Sequence, residues 1–237
     1  VMYYFNASRG FRSGGFNAPA VTPQIFGQES AVSFETGVKS TWLQHRLRCN
    51  GAVYVNRVEG FQFFQFDIAR GGQIIDNIRD VEIRGLELEL QARPRGGWEL
   101  RAALGLNDSE IRNFDGSGRF DGNQTPGNTR AKLTMGAQYA HRLGDLLLAT
   151  VRADLEHRGR QYWHADNLDV QEPIDLLNLH FGLEAERWGV TAWAKNLLDE
   201  RYYTEYADAA WTGVLAGGDL GQLGRPRSYG VEVRRRF

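Results

Sequence analysis

His164, Asp166 and Asp169 stand close together and offer one imidazole and two carboxylates, nitrogen and oxygen donors of the kind a metal ion accepts. The same residue types fill ordinary solvated loops, and that is how we read them, with no metal expected. Asp115-Gly116-Ser117-Gly118 and Asp121-Gly122-Asn123 resemble pieces of a calcium loop, but the glutamate that closes an EF-hand loop is missing. They read as turns, because Gly and Asn reach positive φ cheaply. Asp154, Glu156 and His157 lie at one strand end with His164 and Asp166 beyond, the ingredients of acid–base catalysis. No nucleophile elbow and no HExxH accompany them, so the chain is read as a non-enzyme. The rival from another class is a self-contained ten-stranded outer-membrane protease of the omptin type.

Composition narrows the classes. The chain has 237 residues, 42% hydrophobic and 24% charged, with a formal net charge of -1, which excludes a disordered polyelectrolyte and gives no footprint for nucleic acid. No apolar run approaches the roughly 18 residues of a spanning helix. A β-barrel stays open as a possibility, since its lumen-facing half is polar. The single cysteine, Cys49, excludes an internal disulfide framework. Only Lys39, Lys132 and Lys195 are lysine, so arginine dominates the basic residues, and arginine grips carboxylates and phosphates bidentately. Val1-Met2-Tyr3 opens without a charged n-region, apolar h-region or cleavage site, from which we expect that something precedes this chain in its natural form.

The elements that must position these residues are strands. Leu86, Leu88, Leu90 and Ala92 alternate with Glu87, Glu89 and Gln91, and successive strand residues face opposite ways. Trp98 to Asn107, Leu47 to Asn56, Lys132 to Tyr139 and Leu177 to Ala185 repeat the pattern, about ten strands in all. Short connections near 41–46, 93–97, 141–145 and 186–189 alternate with long ones near 9–31, 67–73, 113–128, 159–173 and 198–225. That sorting fits a transmembrane barrel with short periplasmic turns and long outer loops, and a soluble β-sandwich binding module explains neither it nor the terminal aromatic. Trp42, Trp98, Trp188 and Phe237 fall beside the short-turn edge, as an interfacial girdle requires. Segments 46–66 and 74–92 exceed the about 9–11 residues of a crossing strand, so their hairpin should stand above the membrane with Phe61, Phe63, Phe64 and Phe66 near the outer surface.

Several motifs then resemble the C-terminal part of TonB-dependent outer-membrane receptors, over essentially residues 1–237. They are Ser8-Arg9-Gly10-Phe11-Arg12-Ser13-Gly14-Gly15-Phe16-Asn17, Phe34-Glu35-Thr36-Gly37-Val38-Lys39-Ser40 and Arg84-Gly85-Leu86-Glu87-Leu88-Glu89-Leu90. Lys195-Asn196-Leu197-Leu198-Asp199-Glu200-Arg201-Tyr202-Tyr203, followed by Pro226-Arg227-Ser228-Tyr229-Gly230 and the terminal Phe, is similar to the family's closing signature.

The resemblance implies an all-β antiparallel transmembrane barrel of which this chain is about ten C-terminal strands, the whole having 22 strands and an N-terminal plug. It implies energised uptake through the outer membrane of a Gram-negative bacterium. The partners would be the lipid bilayer, the TonB complex through the missing N-terminal region, and the assembly machinery through Tyr229, Val231, Val233 and Phe237. The ligand expected is a ferric siderophore, with vitamin B12, a saccharide or another nutrient as the alternative; no cofactor is expected. Ligand capture by stacking and ion pairing would fall to Arg9, Arg12, Phe16, Phe63, Tyr162, Trp163, His164, Tyr206 and Trp211.

Overall fold

The computed structural model describes residues 1–67, 72–207, 209 and 218–236. In chain order the strands are β1 (Met2–Arg12), β2 (Gly15–Phe16), β3 (Ile25–Phe26), β4 (Glu29–Trp42), β5 (Leu47–Asp67), β6 (Gly72–Ala92), β7 (Trp98–Asn113) and β8 (Ala131–Leu143). Then follow β9 (Leu147–Arg158), β10 (Gln161–Tyr162), β11 (Val170–Gln171), β12 (Ile174–Glu184), β13 (Trp188–Lys195), β14 (Tyr203–Ala207), β15 (Leu220–Leu223) and β16 (Ser228–Arg235). Ten of them form one antiparallel sheet in the order β1-β4-β5-β6-β7-β8-β9-β12-β13-β16, a meander with every neighbour adjacent in sequence. The remaining six pair as small hairpins, β2–β3, β10–β11 and β14–β15, inside the long connections. A sandwich of two packed sheets is thereby ruled out.

Register carries the alternation across the whole sheet. Leu88 stands opposite Gly51 on one side and Leu104 on the other, Leu104 opposite Leu133, and Leu155 opposite both Met135 and Leu177. One face is therefore a continuous apolar field, as lipid demands. Val190, Ala192 and Ala194 extend it onto Val233, Val231 and Tyr229 of β16. Trp42, Trp98 and Trp188 sit half-exposed at the edge where the short turns lie. Phe237 falls outside the described residues.

The opposite face is polar and cross-linked. Arg101 bonds Glu99, Arg152 chelates Asp154 at 2.7 and 2.8 Å, and Glu156 takes Arg158 at 2.8 Å and Lys132 at 3.2 Å. Three aromatic rings on this face lie over glycines directly opposite them: Tyr4 over Gly37, Tyr54 over Gly85 and Trp193 over Gly230. A ring laid flat on a neighbouring glycine covers backbone that would otherwise be open, and pins register. Gly85→Ala should therefore push the Tyr54 ring off the strand, because the new Cβ would meet the ring itself. We expect a loss of about 1 to 3 kcal/mol from overpacking, read as an earlier urea midpoint, and recovery in Gly85→Ala/Tyr54→Ala. An unshifted midpoint would sink the ring-on-glycine account.

Strand ends differ from the sequence expectation. β1 stays in the ladder to Arg12↔Glu29, so the first long connection is 13–28 and not 9–31. Likewise β4 runs on through Trp42 and β8 through Leu143, shortening their turns. The ladder's hydrogen bonds outweigh the Gly and Arg content that suggested loops.

The tall hairpin of β5 and β6 contains a reversal of phase. Val58 and Phe63, of opposite parity, enter one buried cluster, as do Val81 and Ile78. Gly60, at φ 66, breaks the alternation on β5. On β6 the pairing with β7 slips between Asp80 and Val81. The slip against β7 is a bulge of the kind that re-aims side chains, while the β5–β6 register runs on unshifted across Gly60. Below them, Val58 and Val81 share the polar-face side of the sheet; above them, Phe63 and Ile78 take over that direction. With Ile111 and Ala165 they build an apolar core beneath the outer loops, which the sequence reading did not anticipate.

Candidate functional site: an outer aromatic cavity

The outer loops are held by amide side chains. Asn17 forks onto the β6 backbone, donating to the Ile75 carbonyl at 2.9 Å and accepting from its N–H at 2.8 Å. The amide of Gln62 reaches the carbonyls of Ser13 at 3.0 Å and Gly27 at 2.8 Å, fastening the same connection from the other side. Between the connections 114–130 and 159–173, Asn167 accepts from the Gln124 N–H at 2.8 Å and donates to its carbonyl at 2.9 Å. Asn123 adds a bond to the Ala165 carbonyl at 2.8 Å. In the last excursion buried Asn196 donates to the carbonyls of Glu200 at 2.9 Å and Arg225 at 3.1 Å, tying both ends of the loop.

These clamps leave a cavity of 580 Å³ between the β5–β6 hairpin, the two clasped loops and the β14–β15 hairpin. Phe61, Phe63, Phe64, Trp163 and Tyr206 supply aromatic walls, while Gln73, His164, Glu205 and Gln222 add polar groups. The Trp163 and Tyr206 rings stand 6.2 Å apart at 41°, and Tyr203 lies 5.5 Å from Tyr206. The Tyr206 hydroxyl donates to Asp219 at 2.7 Å. With the Ala209 N–H, that bond holds the Asp219 carboxyl below the usual carboxylate range. His164 is buried, its Nε2 3.8 Å from the Asp169 carboxylate. A space of this size, apolar in its walls with a few polar groups, suits a flat ligand of several rings.

Four residues singled out in the sequence meet here: Phe63, Trp163, His164 and Tyr206. Tyr162 lies beside the cavity in β10, its carbonyl accepting from Gly127, and does not line it. Phe16 is 82% exposed in the β2–β3 hairpin, away from the walls. Arg12 lies in β1, 3.9 Å from Glu29, and Arg9 shares the parity of Phe5, opposite to that of Tyr4. Neither arginine lines the cavity, and Arg12 shares the polar-face parity of Tyr4. Trp211 lies outside the described residues. Gln73, Glu205, Gln222 and Pro126 were not foreseen, since polar loop residues carry no periodicity to mark them.

The acid–base ingredients are dispersed. Asp154 and Glu156 are on the polar face, each bonded to arginine, while His157 is on the opposite face 2.8 Å from Asp175. Asp115 takes the Ser117 N–H at 2.8 Å and its hydroxyl at 2.6 Å, which lowers its pKa and marks a turn, as the sequence suggested. Asp166 likewise accepts from the Leu168 N–H at 3.1 Å within its own loop.

A protein-family model described as TonB dependent receptor-like, beta-barrel, matches residues 1–197. Among solved structures, the ferric yersiniabactin uptake receptor FyuA from Yersinia pestis superposes with a TM-score of 0.82 at 20% identity, over 99% of this chain and 35% of that one. BauA, the ferric preacinetobactin receptor from Acinetobacter baumannii, gives 0.70 at 18% identity over 98% and 34%. The copper transporter OprC gives 0.72 at 16% identity over 98% and 36%. The chain thus spans about a third of the length of the structures it matches, and at these identities the likeness is one of fold.

Proposed function

The chain belongs to the TonB-dependent receptor β-barrel family, and from that premise we propose that it forms the distal barrel strands of an outer-membrane receptor for energised uptake of a ferric siderophore. The observation that carries the ligand class is the aromatic cavity at the outer end of the barrel wall, with Phe63, Trp163 and Tyr206 around 580 Å³. Among the described lining residues there is no arginine or lysine. What the described lining residues chiefly offer a ligand is stacking and shape. β1 and β16 are the two edges of the sheet, and unpaired edges are not tolerated in lipid; further strands and a plug would close the barrel and carry the contact to TonB. Tyr229, Val231 and Val233 of β16, with Phe237, supply the terminal pattern for the assembly machinery. The fold neighbours FyuA and BauA, receptors for ferric chelates by name, support the same reading.

Trp163→Ala in the complete receptor should weaken binding of its ferric siderophore at least tenfold, since a central aromatic anchor is worth about 2 kcal/mol or more. Titration of receptor fluorescence against a panel of ferric siderophores, vitamin B12 and oligosaccharides measures this. Binding confined to vitamin B12 or a saccharide would replace the ligand class, and a siderophore affinity untouched by Trp163→Ala would remove the cavity from the site.

A further inference from the structure

The walls of the outer cavity are uneven in what they can bond. A phenol has one O–H, and that of Tyr206 goes to Asp219 at 2.7 Å. Both N–H groups of the Gln62 amide are spent on the carbonyls of Ser13 and Gly27, at 3.0 and 2.8 Å, which leaves this amide its oxygen. Pro126 has no backbone N–H to give. Glu205 is the one carboxylate among the described lining residues, and no described residue is bonded to it. Gln73 and Gln222 can serve either way. The wall as a whole is richer in acceptors than in donors.

The electrostatics point the same way. Asp219 is held ionised by the Tyr206 hydroxyl first and the Ala209 N–H second, below the usual carboxylate range. A phenol that donates to a carboxylate is polarised by it, which makes the face of its ring a better seat for positive charge. The Trp163 and Tyr206 centroids are 6.2 Å apart with their planes tilted by 41°. A cation set in the angle between them can lie within about 6 Å of both centroids, the reach of a cation–π contact. His164 brings a positive charge only when protonated, and the Asp169 carboxylate, 3.8 Å from its Nε2, then faces it. The charge of Glu205 is left for a ligand to meet.

We propose that this cavity binds a positively charged group of the ligand, a protonated amine, with Glu205 as its counter-ion and the rings of Trp163 and Tyr206 around it. The inference rests on the reading of the cavity as the receptor's ligand site, and it narrows the chelates that fit. A ferric chelate with a free amine on its periphery is preferred over the same chelate with that amine blocked, because the blocked form covers the carboxylate without pairing it.

The test is calorimetric titration of the complete receptor with matched pairs of ferric chelates, a trihydroxamate and a tricatecholate, each carrying one free amine or the same amine acetylated. Phenethylamine and N-acetylphenethylamine serve as iron-free probes of the cavity alone. Whichever chelate binds should bind about tenfold tighter in its amine form than in its acetylated form. Glu205→Gln should bring the two forms to one affinity, and Glu205→Lys should reverse their order. Glu205 is exposed on β14, so both variants should keep the heat-modifiable migration of the parent. Equal affinity of the two forms in the parent, or a preference that Glu205→Gln leaves intact, overturns the cation site and leaves the siderophore reading in place. If no chelate binds, the siderophore reading falls and the iron-free pair decides the cation site. Tighter binding of phenethylamine that Glu205→Gln abolishes upholds it, and equal binding or none overturns it.

Discussion

Leu88→Arg is expected to cut the yield of folded barrel severely, while Glu87→Arg one residue away leaves it nearly unchanged. Leu88 lies between Gly51 and Leu104 on the apolar face, 44% exposed, some four residues from the turn end and so near mid-bilayer. An arginine there costs about 2 to 4 kcal/mol, much of the stability of an ordinary domain. Glu87 is on the other face, opposite Ala52 and Gly105, small residues that leave room for a longer side chain. A lumen substitution of this kind should stay within about 0.5 kcal/mol. Heat-modifiable migration of the complete receptor after refolding into bilayers reads both. Equal losses would show that the faces are assigned the wrong way round or that neither meets lipid.

The second large effect lies above the membrane. Ile78 and Ile111 have no exposed surface and meet in the cluster that joins the tall hairpin to the outer loops. Truncating either to alanine should cost about 2 to 5 kcal/mol, but the loss falls on the outer crown and not on the lipid-embedded ladder. The expected result is a receptor still folded by gel migration, yet cut rapidly by protease within 114–130 or 159–173. Ile25→Ala, at a position 66% exposed, should leave the digestion pattern unchanged. If Ile78→Ala digests like the parent, the crown does not rest on this core.

What could be seen in the sequence follows from where one physical environment persists. Along Leu86 to Ala92 lipid and water act on alternate residues without interruption, so parity alone assigned both faces. Above the membrane that uniformity ends. Phe61-Gln62-Phe63-Phe64 has no clear alternation, and the flip at Gly60 turns Phe63 to the side that Val58 occupies below it. An isolated glycine inside a strand pattern was a usable signal of an irregular backbone, here the positive φ of Gly60, but the bulge itself lies between β6 and β7, where no glycine marks it. Aromatic loop residues announced Trp163 and Tyr206. Glu205 and Gln222 join them only because β14 pairs with β15, a contact no local pattern encodes. Arg9 and Arg12 show the opposite failure, a charged stretch that reads as loop and stays in the ladder.

The clasps between the outer loops, Asn17 on Ile75, Asn167 on Gln124 and Asn196 on Glu200, are all neutral amides bonded to backbone. Salt screens attraction between charges and hardly touches a bond of this kind. These clasps should therefore hold from low salt to high and through acidification, whereas the Tyr206 bond to Asp219 at the cavity rests on a carboxylate and is the contact that acid can loosen. Where uncharged bonds do the fastening, the fit of one loop on the next is set by geometry, and salinity finds little there to loosen.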